Sequence, residues 1–314
     1  MPRLSGVCDA LRMKHSLFAL GALCLFSAPA SAACLLPPAG ESAPMRLVSQ
    51  DGPPILVHTP KGYDLSQEPV PLVFLLHGSG GTGAAMLRDS KLAATADAHG
   101  FILVAPDAGI PLGEGFAWNI PGVPTVAGQL PGPQDRDDVD HLSSIADALV
   151  EGGCVDPARI YSTGLSGGGR MTSWLGCVES DRYAAIAPVV GLRAGIAKPD
   201  DESEVDPATC TPENPMPVLA FAGLKDNTNP LAGGQGLRWG YSMHAAEQRW
   251  AQLNRCRAAP TTNWVAPDIY EERYGDCAED AEVAARIDSK GGHSWVVDNE
   301  VLWAFFARHS RPQH

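Results

Sequence analysis

Residues 158–177 limit how this chain can fold more than any other segment. Ala158-Arg159-Ile160-Tyr161-Ser162-Thr163 reads as a short buried strand, and residues 170–177 read as a helix. Between them lies Gly164-Leu165-Ser166-Gly167-Gly168, which fits G-x-S-x-G. A turn this sharp between strand and helix strains the serine backbone, so its neighbours must be tiny. Gly164, Gly167 and Gly168 supply that space. Such an elbow belongs to a parallel sheet with helical crossovers, and it lifts one hydroxyl above the carboxyl edge of the sheet. The five residues alone are weak, because in a chain with 33 glycines an ordinary glycine turn beside a bystander serine is the plain alternative.

A serine hydroxyl needs a base to take its proton and an acid to orient that base, in the order Ser, Asp or Glu, His for this architecture. The apolar run 217–222 ends in Gly223-Leu224-Lys225-Asp226, so Asp226 follows a strand end. A plain turn is its bland reading, since Lys-Asp-Asn is common turn composition. Residues 282–288 read as another strand, followed by Gly291-Gly292-His293-Ser294-Trp295. His293 is thus the expected base. His77 competes, but it precedes the serine, and it sits between the apolar run 72–76 and Gly78-Ser79-Gly80-Gly81. It reads instead as part of a loop that stabilises the oxyanion. The backbone N–H groups of Gly167 and Ser79 are the expected donors.

These segments together resemble the polyhydroxybutyrate depolymerase family, which includes feruloyl and acetylxylan esterases. The resemblance rests on Leu76-His77-Gly78 with its glycine-rich loop, the run 160–169, Ala184-Ala185-Ile186-Ala187-Pro188-Val189, and Gly291-Gly292-His293-Ser294-Trp295. It spans roughly residues 45–308. It implies an α/β-hydrolase fold: a mostly parallel central sheet, helices on both faces and no separate lid domain. It also implies a secreted serine esterase with Ser166, Asp226 and His293 as its triad, and no cofactor. Two positions depart from the family pattern. Ala222 stands where a histidine is common, and Val296 where a proline is common.

Composition bears on compartment and partners. Met13-Lys14-His15, the apolar stretch 16–26 and Ala30-Ser31-Ala32 read as a secretory signal over residues 1–32. Translation beginning at Met13 fits that reading, and residues 33–314 are then expected to form one catalytic domain. Lipidation at Cys34 is the alternative fate of the new terminus. Cys34, Cys154, Cys177, Cys210, Cys256 and Cys277 remain after such a signal, an even number that suits three disulfides. Fifteen pairings are possible; Cys256–Cys277 leads, with Cys177–Cys210 and Cys34–Cys154 following. No zinc-type spacing is present, and Asp200-Asp201-Glu202 lacks the ligand spacing of a calcium loop. The formal charge of −13 disfavours nucleic acid and anionic lipid as partners. The acidic runs 200–206 and 271–282 read as solvated faces.

Elsewhere, strands alternate with helices. A hairpin is expected from 45–49 and 55–59, strands at 72–76, 101–105 and 183–190, and helices at 82–99, 138–151 (Asp137 as N-cap), 241–256 and 299–309. The long loop 108–136 is rich in Pro and Gly. Trp118, Trp239 and Trp295 are candidates for stacking on substrate, with loop packing as the alternative for each. Asp107 reads as a cap more readily than as a substrate contact. The expected function is hydrolysis of carboxylic esters through an acyl-enzyme, with a polyhydroxybutyrate-like polyester first and feruloyl or acetylxylan esters second. A catalytically silent protein that binds polysaccharide or cell wall is the contrasting class. A monomer is expected.

Overall fold

In β3 (Val70–Leu76), alternate residues face opposite sides: Leu72, Phe74 and Leu76 join one buried cluster, while Val73 and Leu75 join the other. A strand apolar on both faces must be covered on both, and the rest of the chain provides the cover. The computed structural model describes residues 34–49, 52–64 and 68–311, which fall within one compact unit. The expected signal at 1–32 and the Met13 start lie outside the described residues.

In chain order, β1 (Ser42–Met45) and β2 (Ile55–His58) precede β3. Then come α1 (Gly83–Ser90), α2 (Leu92–His99), β4 (Ile102–Ala105) and a small hairpin of β5 (Ile110–Leu112) and β6 (Gly115–Ala117). α3 (Asp138–Glu151) leads to β7 (Val155–Leu165), which turns directly into α4 (Gly167–Val178). β8 (Ala185–Val189), β9 (Val218–Gly223), α5 (Gly236–Trp239) and α6 (Met243–Leu253) follow. The chain ends with β10 (Thr261–Ala266), β11 (Ile269–Tyr274), β12 (Val283–Asp288) and α7 (Asn299–Phe306).

Among the described residues the main sheet runs β1-β2-β4-β3-β7-β8-β9-β12-β11-β10. The stretch from β4 to β12 is parallel, and an antiparallel hairpin closes each edge. α1, α2 and α7 cover one face through Met86, Leu92, Leu302 and Phe305. α3, α4 and α6 cover the other through Ile145, Leu175 and Trp250. Each such side chain contributes about 1.5–3 kcal/mol by leaving water. This is the α/β-hydrolase arrangement, with β7 near the middle.

Several elements differ from their expected bounds. The helix expected over 82–99 is two helices, broken at Lys91, whose φ is 56°. The break has a cause: Asn299 Nδ2 donates to the Ser90 carbonyl, and Ser90 Oγ accepts from Leu92 N. The first strand begins earlier than expected, at Ser42, but it does pair with β2 as a hairpin. The segment between Cys256 and Cys277, read as hairpin-like, is the β10–β11 hairpin, whereas the β5–β6 hairpin was not expected. The run 271–282 is corrected in part: Glu271 is 9% exposed and accepts from Arg273 and Arg286, so it ties β11 to β12 rather than facing solvent. Asp137 caps α3 as expected, accepting from Val139 N and Asp140 N.

Disulfides join Cys34 to Cys154, Cys177 to Cys210 and Cys256 to Cys277. The first engages the Cys34 sulfur that lipidation would need. Among the described residues no helix is long and apolar enough to cross a membrane.

Candidate active site

The elbow is built by close backbone approach. A Cβ at Gly164 would lie 2.7 Å from the carbonyl oxygens of both Gly168 and Leu76, and one at Gly168 would lie 2.2 Å from Leu76 O. Any larger residue would force β7, α4 and β3 apart. Ser166, held between them, has φ 55° and ψ −109°, a strained conformation for a residue with a side chain. Its N–H donates to Val189 O, which fixes the turn against β8.

The acid and the imidazole come from the next strand ends. β9 and β12 are parallel neighbours, and the loops after them are laced together: Lys225 N donates to Gly291 O, and Leu224 N to Asp288 O. A Cβ at Gly223 would lie 2.5 Å from the Gly291 carbonyl carbon, so the two loops touch only because Gly223 has none. Asp226 is 4% exposed. Its Oδ1 accepts from Thr228 N and Asn229 N, each at 2.8 Å, leaving Oδ2 for the imidazole. His293 Nδ1 lies 2.7 Å from Asp226 Oδ2, and His293 Nε2 lies 2.8 Å from Ser166 Oγ. An ionised carboxylate only accepts, so Nδ1 carries the proton and Nε2 is free to accept from the hydroxyl.

The loop after β3 lies alongside. A Cβ at Gly167 would stand 3.1 Å from Ser79 N, so the two amides expected to hold an oxyanion are neighbours. His77 braces this loop and is not a rival base. It is 1% exposed, its Nδ1–H donates to Gly78 O, and its Nε2 accepts from Ala108 N. Burial pushes its pKa below the ordinary imidazole value, which keeps it neutral. The β5–β6 hairpin extends the brace, since Gly80 N donates to Phe116 O and Phe116 N to Gly81 O. Arg136 and the fully buried Asp138 pin the rest of the long 108–136 loop, with Asp138 accepting from Gly109 N and Asn119 N. Asp107 caps α1 by accepting from Gly83 N.

The three tryptophans part company. Trp118 is corrected: it is 5% exposed, and its Nε1–H donates to His77 O, so it stiffens the loop from within and offers no face to a ligand. Trp239 is corrected likewise. It is 8% exposed and packed among the guanidiniums of Arg170, Arg193 and Arg238. Trp295 remains: it lines a cleft of about 500 Å³ together with His293, Leu165, Met86 and the Gly78–Ser79 turn. A cleft with an indole, a thioether and an isobutyl group beside one reactive hydroxyl suits an apolar acyl group.

Two further side chains were not foreseen. Arg238 Nη2 donates to Ser79 Oγ at 2.7 Å, and Arg193 Nη2 donates to Asn229 Oδ1 at 2.8 Å. The one local signal was Arg170 in a run of small and apolar residues, Gly167-Gly168-Gly169-Arg170-Met171. Among the described residues, His244, Glu247 and Glu272 are the one group of potential metal ligands whose donor atoms converge. The Asp200-Asp201-Glu202 run does not form such a group.

Comparison with known proteins bears on the family and the fold. Residues 93–204, which contain the elbow, match the model of the prolyl oligopeptidase family. The chain is 31% identical over 268 residues to feruloyl esterase B of Piromyces equi, covering 82% of this chain and 45% of that protein. It is 30% identical over 136 residues to poly(3-hydroxyalkanoate) depolymerase C of Paucimonas lemoignei, covering 43% of this chain and 30% of that one. The chain belongs to the feruloyl esterase and polyhydroxyalkanoate depolymerase-like family of α/β-hydrolases. It spans about half the length of the curated relatives it matches. Acetyl xylan esterase from Aspergillus awamori superposes with a TM-score of 0.57 at 14% identity, covering 81% of this chain and 93% of that one. At that identity the superposition bears on the fold alone, and it supports the α/β-hydrolase description of this esterase-family chain.

Proposed function

We propose that this chain is a serine carboxylesterase, exported to an oxidising compartment, that cleaves feruloyl or acetyl esters of cell-wall polysaccharide. The carrying observation is the unbroken line from Asp226 Oδ2 through His293 to Ser166 Oγ, at 2.7 and 2.8 Å. His293 Nε2 takes the Ser166 proton as the oxygen attacks the ester carbonyl. Asp226 holds the ring and stabilises the imidazolium. The carbonyl oxygen becomes an oxyanion that accepts from the amides of Gly167 and Ser79, about 3–4 kcal/mol for each donor. His293 then protonates the departing alcohol. Water, activated by the same imidazole, cleaves the acyl-enzyme and restores the hydroxyl.

The polyester reading drawn from the motifs yields first place to wall esters. The feruloyl esterase aligns with 82% of the chain and the depolymerase with 43%. Trp295 also supplies the cleft with an indole face on which an aromatic acyl group can stack. The three disulfides support export. A silent binding protein would have no need of an aligned, strained serine.

Methyl ferulate, acetylated xylan, p-nitrophenyl acetate and polyhydroxybutyrate film should be assayed side by side, with Ser166→Ala as control. Turnover of ferulate or acetyl esters that vanishes in Ser166→Ala fits the proposal. Phosphonate labelling of another residue, or film as the best substrate, would overturn it.

A further inference from the structure

Arg170 on α4, Arg193 after β8 and Arg238 on α5 converge on one indole, with their Cζ atoms 5.2, 4.8 and 5.3 Å from the Trp239 ring centroid. Arg170 and Arg193 are each 3% exposed. A guanidinium sealed in protein needs acceptors for its N–H groups and a counter-charge. Part of that need is met: Arg193 donates to Leu192 O and Asn229 Oδ1, and Arg238 to Pro124 O and Ser79 Oγ. The faces of Trp239 and Tyr241 help by cation–π attraction. Four buried nitrogens still lack any acceptor in the protein: Arg170 Nε and Nη1, Arg193 Nε and Arg238 Nε. Among the described residues none of the three arginines forms an ion pair with a carboxylate. Burial and mutual repulsion push Arg170 well below the ordinary guanidinium pKa, and Arg193 to about 10.

The space beside them limits what can answer this charge. A small, partly open cavity of about 10 Å³ is lined by Arg170, Arg193 and Ser173, with Ile120, Val123 and Ile196 as apolar walls. It has room for about one water-sized particle. A carboxylate or phosphate group is too large, and a neutral water accepts hydrogen bonds but supplies no negative charge.

We propose that Arg170 and Arg193 enclose a monatomic halide, chloride under ordinary conditions, as a built-in counter-ion. Its place in the molecule gives it a purpose. Arg193 holds Asn229, and the Asn229 N–H donates to Asp226 Oδ1, so the ion steadies the loop that aims Asp226.

The test uses the wild-type chain. Crystals soaked in sodium bromide should show an anomalous peak within hydrogen-bonding reach of Arg170 and Arg193. Thermal unfolding in sodium chloride should occur roughly 3–6 °C above that in sodium gluconate at equal ionic strength. Arg170→Met should abolish that difference, and Arg193→Gln serves if the first variant does not fold. Bromide found only at surface arginines, or cavity density with no anomalous signal, would overturn the proposal. Ester turnover is read separately, so a missing halide leaves the esterase reading untouched.

Discussion

Two buried polar clusters adjoin Ser166, and they are assembled in opposite ways. In the Asp226–His293–Ser166 line the carboxylate is fully engaged: two backbone N–H groups hold Oδ1 and the imidazole holds Oδ2. In the Arg170–Arg193–Arg238 cluster four nitrogens have no protein acceptor and three positive charges share one indole. At low dielectric a hydrogen bond fixes direction strongly, and an unmet donor is correspondingly costly. The first cluster is therefore closed and directional, suited to moving one proton along one line. The second is open, and it shapes potential and loop position rather than chemistry.

That contrast is most sharply broken at its centre. Ser166→Ala should lower ester turnover by about 10⁴–10⁶-fold while leaving the unfolding temperature nearly unchanged. Loss of fold together with activity would make the elbow serine structural. Asp226→Asn comes next. Its remaining oxygen can still accept from Thr228 N and Asn229 N, so the loop should survive while kcat falls about 10⁴-fold through the wrong imidazole tautomer. A tenfold effect or less, measured by steady-state kinetics on p-nitrophenyl acetate, would mean that the closed line does not orient the base.

The closed cluster was legible in sequence and the open one was not, for a physical reason. Ser166, Asp226 and His293 each follow a strand end and sit among glycines, and a parallel sheet brings consecutive strand ends to one edge. Order along the chain then assigns the roles. Arg170, Arg193 and Arg238 carry no such mark. They come from a helix, a loop and a one-turn helix, and nothing local says that they meet. Trp118 and Trp239 were misread because position in a loop says nothing of exposure, and both are sealed by partners distant in sequence. The break at Lys91 was hidden because Asn299, which takes the Ser90 carbonyl, lies more than two hundred residues away. The run 271–282 was read as a solvated face because charge alone does not reveal a partner, and Glu271 is paired with Arg286 at 2.7 Å.

A smaller effect tests where the two clusters touch. Arg238 Nη2 donates to Ser79 Oγ, next to the amide proposed to hold the oxyanion. Removing a charge-assisted hydrogen bond costs about 1.5–3 kcal/mol. Arg238→Met should therefore lower kcat roughly 10–100-fold with little change in KM. Ser79→Ala should give a similar loss, and the double variant no more than either alone. Additive losses would mean that Arg238 acts through packing on Trp239 and that the open cluster has no hand in positioning the loop.

The smallest effect asks whether the cost of an unmatched buried charge holds for the opposite sign. Glu247 on α6 is 3% exposed, and burial, aided by the Glu272 carboxylate, raises its pKa to about 8. In the unfolded chain it loses its proton near pH 4.5, whereas the folded protein keeps it until about pH 8. The folded state therefore binds more protons within that window. Stability from this group is fully present below about pH 4.5 and is lost as pH rises through about 8. Urea unfolding should show wild type weaker at pH 8 than at pH 5 by on the order of 2 kcal/mol. Glu247→Gln, which never ionises, should flatten that slope and be the more stable protein at pH 8. An unchanged slope in Glu247→Gln would show that the buried Glu247 carboxyl does not carry this pH dependence.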